Sequence, residues 1–282
     1  MIKNNKAKII SNIPKTSRYY KMILKTAEIC ATCRPGQFVH VRVSEQAVPL
    51  LRRPFSIHSV KLDTLEILYE VVGEGTRLLS LKGPGETLDI IGPLGNGFQI
   101  IASKAPKGAQ DNFIVAGGIG VAPLFFLAED LKRAGLNADV FLGVKSKDNL
   151  VCAEEFKELG FKMNIASNDG SVGFKGYVTE LFFKKVFRIK QKKKTVIYAC
   201  GPKPMLKELT RICKPDNFII HVSLDEFMGC GLGACLGCVI KVKSQKSPPE
   251  AGPPSAEKVK NSFKYKRVCT DGPVFDAREI VW

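Results

Sequence analysis

One short run limits what this chain can be more than any other: MGCGLGACLGCV, Met228 to Val239. It sets Cys230, Cys235 and Cys238 in a C-x4-C-x2-C pattern, and Cys269 follows after a long gap. A tight loop that presents three thiolates, closed by a fourth from afar, is the spacing of a plant-type [2Fe–2S] centre. The four interspersed glycines, Gly229, Gly231, Gly233 and Gly237, are expected to take positive φ and turn backbone N–H groups toward the sulfurs. Zinc held by the same four cysteines is the competing reading. Zinc ribbons use two C-x2-C pairs, and here the second pair is missing.

A one-electron carrier needs something to exchange electrons with, and the chain is long enough to supply it. Its 282 residues allow two domains and a small third. We place the boundaries at 1–104, 105–222 and 223–282. Nine cysteines without a secretory leader point to metal or redox use rather than a disulfide framework. The N-terminus is basic but has no apolar segment behind it, and no run of 18 apolar residues occurs, so a cytoplasmic chain without a membrane span is expected. The formal charge of +16 is densest in KKVFRIKQKKK, Lys184–Lys194. That run carries one aromatic residue and no nucleic-acid signature, and reads as a solvated face; neither nucleic acid nor a membrane is expected as a partner.

Residues 1 to about 100 alternate short β-rich runs (Phe38–Val43, Leu65–Val72, Thr87–Ile91) with Gly and Pro punctuation, which predicts an antiparallel barrel. Within it, Arg53-Pro54-Phe55-Ser56 resembles the flavin-binding R-x-(Y/F)-(S/T) signature of the ferredoxin–NADP reductase superfamily. Arg53 would reach a diphosphate and Ser56 the isoalloxazine edge. Gly73-Glu74-Gly75-Thr76 reads as a glycine turn able to hold the same diphosphate. Leu68-Tyr69-Glu70 would run beside the flavin, with Tyr69 either packed on a ring or an ordinary core aromatic. Cys30 and Cys33 form a lone C-x2-C pair that reads as incidental, and His40, His58 and His221 are too scattered to suggest a histidine site.

From Asn112 strands and helices alternate, which implies a parallel sheet. Gly117, Gly118 and Gly120 sit at a strand-to-helix turn with Pro123 just inside the helix. A dinucleotide pyrophosphate would rest there, with Gly118 and Gly120 closest. The form GGIGVAP, and the later strand end CGPKPM, resemble the same superfamily, in which the cysteine of the second motif, here Cys200, lies near the nicotinamide. Lys145 and Lys147 stand where an acidic residue would select NAD, so local chemistry leans toward NADP.

Barrel, nucleotide domain and C-terminal cysteine loop together resemble one family: the electron-transfer subunit of type B dihydroorotate dehydrogenase. SLDEFMGCGLGACLGCV and KRVCTDGPVFDA are the most specific parts, and the resemblance spans nearly the whole chain. It implies FAD on Arg53, Pro54, Phe55, Ser56, Leu68, Tyr69, Glu70, Gly75 and Thr76, a [2Fe–2S] cluster on the four cysteines, and NAD as acceptor. It also implies an FMN-containing catalytic subunit as partner, in a heterotetramer of two of each. That subunit oxidises dihydroorotate to orotate in pyrimidine synthesis, and no acid or base for the step is expected here. The 30 residues between Cys238 and Cys269 are about twice the family's usual spacing, and residues 244–263 read as a Pro/Ser/Lys-rich surface insertion. Two alternatives stay open: a related subunit of a hydrogenase or a ferredoxin:NADP oxidoreductase, and a zinc-binding interaction protein.

Overall fold

The computed structural model describes residues 3–46, 48–101, 110–187, 194–213, 218–244 and 263–282. The N-terminal part forms six strands, β1 (Lys3–Pro14), β2 (Tyr19–Lys25), β3 (Phe38–Val41), β4 (Arg53–Lys61), β5 (Thr64–Glu70) and β6 (Thr87–Leu94). Helices α1 (Ala27–Cys30) and α2 (Glu74–Ser80) interrupt them. The strands close into an antiparallel barrel in the order β1-β2-β5-β4-β3-β6. Inward-facing Ile9, Met22, Leu24, Val39, Ile57 and Ile67 fill its interior, and closure leaves no edge to protect.

The central part is the expected alternation: β7 (Gln110–Gly117), α3 (Val121–Arg133), β8 (Asp139–Val144), α4 (Ala153–Glu158), β9 (Lys162–Ser167), β10 (Phe174–Lys175), α5 (Val178–Phe182), β11 (Lys194–Cys200), α6 (Lys203–Ile212) and β12 (Phe218–Ser223). Its strands pair in parallel in the order β10-β9-β8-β7-β11-β12. Helix α3 shows how the sequence sets an element. Its first eight residues, Val121–Ala128, are all buried, and Lys132 and Arg133 sit in its last turn, where cations complement the dipole. Gly135, at φ +69°, ends it, with Leu136 N–H on the Leu131 carbonyl at 2.9 Å.

The C-terminal segment is bound into both other parts. β13 (Val239–Lys243) and β14 (Phe263–Arg267) make an antiparallel hairpin, and β15 (Val274–Asp276) adds an antiparallel edge strand to β12. The barrel meets the same segment where Asn96 donates to the Thr270 carbonyl at 2.9 Å. Residues 245–262 of the expected insertion and 188–193 of the basic run lie outside the described residues. The hairpin nonetheless explains why insertion length does not matter to the cysteines. Lys243 pairs with Phe263 and Val239 with Arg267, which delivers Cys269 to Cys238 whatever lies between. Among the described residues, no helix is long and apolar enough to cross a membrane.

Candidate functional site

The cysteine loop carries the geometry its spacing predicts. Leu232 and Cys235 donate their N–H groups to Cys230 Sγ at 3.3 and 3.4 Å, Gly237 donates to Cys235 Sγ at 3.5 Å, and Cys269 to Cys238 Sγ at 3.4 Å. Burial opposes ionisation of Cys230, but the Cys235 and Leu232 N–H groups outweigh it and bring the thiol down to about 6. Burial, and then the adjoining Cys238 thiol, push Cys269 up to about 12. The side chains pair as Cys230 with Cys235 and Cys238 with Cys269, two thiols for each iron of a binuclear cluster. Among the described residues the four sulfurs do not gather into one group with every pair inside 4.8 Å. Four thiolates on one zinc at 2.3 Å would stand about 3.8 Å apart. The donor set fits the binuclear group.

The glycines act differently from expectation. Only Gly231 and Gly233 have positive φ, at +70° and +83°, and it is Leu236 that takes a third left-handed position at +55°. At Gly229 and Gly237 a Cβ would stand 3.4 and 3.6 Å from Cys235 Sγ, ordinary contact distances, so neither φ nor space requires glycine there. One side of the loop is open, with Cys235, Leu232, Leu236 and Phe227 exposed, Phe227 at 94%. The other side is sealed. Buried His40 on β3 places Nδ1 3.2 Å from the Cys230 carbonyl, and His40 pairs with Pro54 across the β3–β4 ladder. The cysteine loop therefore rests on the strand next to the RPFS run.

On the barrel face, Arg53 and Gly75 come together as anticipated: a Cβ on Gly75 would lie 3.0 Å from Arg53 Nε. Arg53 also donates to the Leu51 carbonyl, whereas Arg52 is tied to Asp89 at 2.7 Å and has a different role. Gly73–Thr76 is not a free turn but the start of α2. The Thr76 hydroxyl accepts from Val72 and Gly73 N–H at 2.9 and 3.2 Å and donates to the Gly73 carbonyl, so it braces its own loop. Leu68 packs with Tyr19, Phe98 and Ile114, toward the nucleotide domain, and Glu70 pairs with Arg18 at 2.9 Å. Tyr69 points the other way. Its ring, 2% exposed, lies inside the barrel, stacked on Tyr20 and edge-on to Phe55, and its hydroxyl donates to Asn12 Oδ1 at 2.9 Å. The Tyr69 ring is thus a core aromatic and not a surface for a flavin, because strand alternation gives the outer face to its neighbours.

The two nucleotide motifs meet. A Cβ on Gly120 would collide with the Cys200 carbonyl and stand 2.7 Å from Gly201 N, and one on Gly117 would stand 2.7 Å from Met205 Sδ. Gly118 is at φ +54° with open space around it, as a backbone that approaches a phosphate requires. Cys200 is buried and raised to about 12 by burial and by Asp225. Cys30 and Cys33 are likewise pushed up by burial, to about 11 and 12, which makes them poor redox thiols. Lys145 and Lys147 are exposed beyond the end of β8. Sequence reasoning passed over the histidines, yet His40 is the contact between barrel and cysteine loop, and buried His58 reaches Cys152 and Glu155. Neither link has a signal in chain spacing.

With this geometry in hand, comparison with known proteins is informative. Residues 114–211 match the oxidoreductase NAD-binding domain family, and residues 225–251 and 256–281 match the iron-sulfur cluster binding domain of dihydroorotate dehydrogenase B. The chain is 41% identical over its full length, and over all of the relative's, to the dihydroorotate dehydrogenase B (NAD(+)) electron transfer subunit of Geobacillus sp. strain WCH70. It is 37% identical to the subunit of the same name in Desulforamulus reducens, covering 98% of this chain and 97% of that one. A solved structure of the NADH-dependent reduced ferredoxin-NADP oxidoreductase superposes with a TM-score of 0.80 at 31% identity, over 98% of this chain and 90% of that one. A ferredoxin NADP+ reductase from Neisseria gonorrhoeae, with bound FAD and NADP, shares the fold at a TM-score of 0.65 and 17% identity, over 79% of this chain and 99% of that one. The paired cysteines, the RPFS strand and the joined glycine motifs are thus found together in a chain that belongs to the family of dihydroorotate dehydrogenase B electron-transfer subunits.

Proposed function

We propose that this chain carries electrons between an FMN-containing dihydroorotate dehydrogenase catalytic subunit and NAD, using a [2Fe–2S] cluster and FAD. A cluster supplies single electrons, a nicotinamide accepts only hydride, and a flavin handles both, so FAD belongs between the other two. The observation that carries this reading is the His40 contact, which seats the Cys230 loop on the strand beside Arg53–Ser56.

Cys230, Cys235, Cys238 and Cys269 hold the cluster, and the N–H donors around Cys230 favour its thiolate. Arg53, in the space that Gly75 leaves open, takes the FAD diphosphate. Ser56, Leu68 and Glu70 line the outer face of β4 and β5. Pro54 and Phe55 shape the strand, Thr76 braces the loop, and Tyr69 supports them from inside the barrel. Gly118 and Gly120 let the dinucleotide backbone come close. The exposed rim of Phe227, Leu232 and Leu236 around Cys235 is where the catalytic subunit docks, in a complex of two copies of each in the cytoplasm. No residue of this chain is assigned to dihydroorotate itself.

Co-purification from the native host tests this directly. A partner that carries FMN and oxidises dihydroorotate is expected, and a hydrogenase or ferredoxin-linked partner would overturn the proposal. A second reading, a ferredoxin-NADP oxidoreductase subunit, is favoured by the 0.80 superposition and by the exposed Lys145 and Lys147. NADH is expected to reduce the bound flavin faster than NADPH. A preference for NADPH that disappears in the Lys145→Ala, Lys147→Ala double variant would support the second reading instead.

A further inference from the structure

Electron transfer leaves one group of ligand-type side chains without a task. His58, on β4, is fully buried, and its ring stacks on Phe125 with centroids 4.8 Å apart. Its Nδ1 lies 3.0 Å from the Ala122 carbonyl, a contact that requires an N–H on that nitrogen. In the neutral ring the proton is therefore on Nδ1, and Nε2 presents a bare lone pair. Nε2 has no hydrogen-bond partner, and it faces Glu155 Oε2 at 3.6 Å, an oxygen that is also buried and unpartnered. The third member is Cys152. The His58 nitrogen, the Cys152 sulfur and the Glu155 oxygen all lie within 4.8 Å of one another.

Two electron-rich atoms that face each other away from water need a proton or a cation between them. The Cys152 thiol can donate to Glu155, but His58 Nε2 is still left without a partner, because 3.6 Å is beyond hydrogen-bond range. A metal ion suits all three atoms. Nitrogen and oxygen ligands at 2.0–2.1 Å on a tetrahedral ion stand about 3.4 Å apart. The remaining contacts are those that support metal ligands. The Ala122 carbonyl orients the histidine from its far nitrogen, and Lys21 pairs with the other Glu155 oxygen, Oε1. Cys152 is held at φ +66°, a conformation unusual for a side chain of its kind, directly before α4, so that it and Glu155 flank the helix's first turn. A cleft of about 480 Å³, lined by Glu155, Glu66 and Glu129 among others, reaches the group at Glu155. Its Lys21 and Lys61 are offset by Glu66 at 3.6 and 3.7 Å.

We propose that His58, Cys152 and Glu155 bind one zinc ion, with solvent as the fourth ligand, and that the ion fastens the barrel strand β4 to helix α4 of the nucleotide domain. One nitrogen, one sulfur and one carboxylate select a borderline ion over magnesium or calcium, which prefer oxygen throughout. The site is separate from the four-cysteine loop and does not depend on the function proposed above.

The test uses the full chain with flavin and iron content assayed before and after dialysis against zinc chloride. We expect one zinc per chain, with X-ray absorption showing a single sulfur neighbour at about 2.3 Å and nitrogen or oxygen at about 2.0–2.1 Å. Cys152→Ser and Glu155→Gln should each weaken zinc binding on the order of a hundredfold while flavin and iron stay unchanged. Four sulfur neighbours would place the ion in the cluster loop and overturn the assignment. So would no retained zinc, or equal zinc binding by the variants with normal flavin and iron.

Discussion

The cysteine loop and the proposed flavin face of the barrel would hold their cofactors by opposite means. In the loop, three ligands and their N–H donors lie within one short stretch of main chain, and the fourth ligand arrives through a hairpin whose register fixes it. On the flavin face, no stretch is sufficient. Arg53 comes from β4, Leu68 and Glu70 from β5 and Gly75 from α2, and each is useful only because barrel closure brings the strands together. The lesson concerns what a substitution reaches. A change in the loop should act on one cofactor outright, while a change on the face should act by degrees.

The largest expected effect tests that independence. Cys235 is the exposed member of the proposed ligand set, and serine in its place offers a harder and less acidic donor to iron. Cys235→Ser should abolish the visible absorption of the iron–sulfur centre and leave most of the flavin bound, because the barrel core does not include the loop. Iron and sulfide at their full complement in this variant would remove Cys235 from the ligand set. Loss of flavin in step with the cluster would show that the His40 contact makes the two sites one unit.

Arg53→Ala comes next. The guanidinium contact to a diphosphate is worth roughly 1.5–3 kcal/mol. At about 1.4 kcal/mol per factor of ten, FAD affinity should fall ten- to a hundredfold, with cluster iron unchanged. Arg53→Lys should recover part of it, keeping charge but losing the planar fork. Arg52→Ala is the informative control. Arg52 spans the Asp89 carboxylate and carbonyl, both at 2.7 Å, so its loss should lower thermal stability more than FAD affinity. Equal, small losses of FAD from both variants would unseat Arg53.

What was legible in the sequence follows the same division. The cysteine spacing, the glycine-turn helix start at Val121 and the parallel β–α alternation are local patterns, readable from short stretches of chain. The strands near Phe38, Leu65 and Thr87 were legible for the same reason. Three features were not. β15 is three residues long, too short to show alternation, so nothing announced that the tail would extend the nucleotide sheet. α2 was hidden by Gly73 and Gly75, which weaken helix propensity in the very turn that begins it. The third is the orientation of β5. Residues Leu65 to Tyr69 are all buried, because one side of the strand faces the barrel interior and the other the nucleotide domain. A period of two puts Leu68 on the face of Glu66 and Glu70 and Tyr69 on the other, but the apolar triplet Ile67-Leu68-Tyr69 blurs which face is inward.

Tyr69→Phe gives the smallest expected effect and the sharpest view of that orientation. The Tyr69 hydroxyl remains a donor at any working pH, since burial raises its pKa far above the ordinary value despite the Asn12 hydrogen bond that lowers it. Removing it costs one neutral hydrogen bond, about 0.5–1.5 kcal/mol. The larger penalty of a stranded acceptor is limited because Asn12, held through its amide on the Leu79 and Lys82 carbonyls at 3.0 and 2.9 Å, is only half-buried. The ring itself keeps its packing on Tyr20 and Phe55. A modest drop in the thermal midpoint is therefore expected, with FAD affinity within about twofold of the parent, a difference of roughly 0.4 kcal/mol. The order of the two responses is what matters. If Tyr69→Phe loosened FAD tenfold while the midpoint held, the hydroxyl would be a flavin contact, and the inward orientation of Tyr69, with the division of labour along β5, would be wrong.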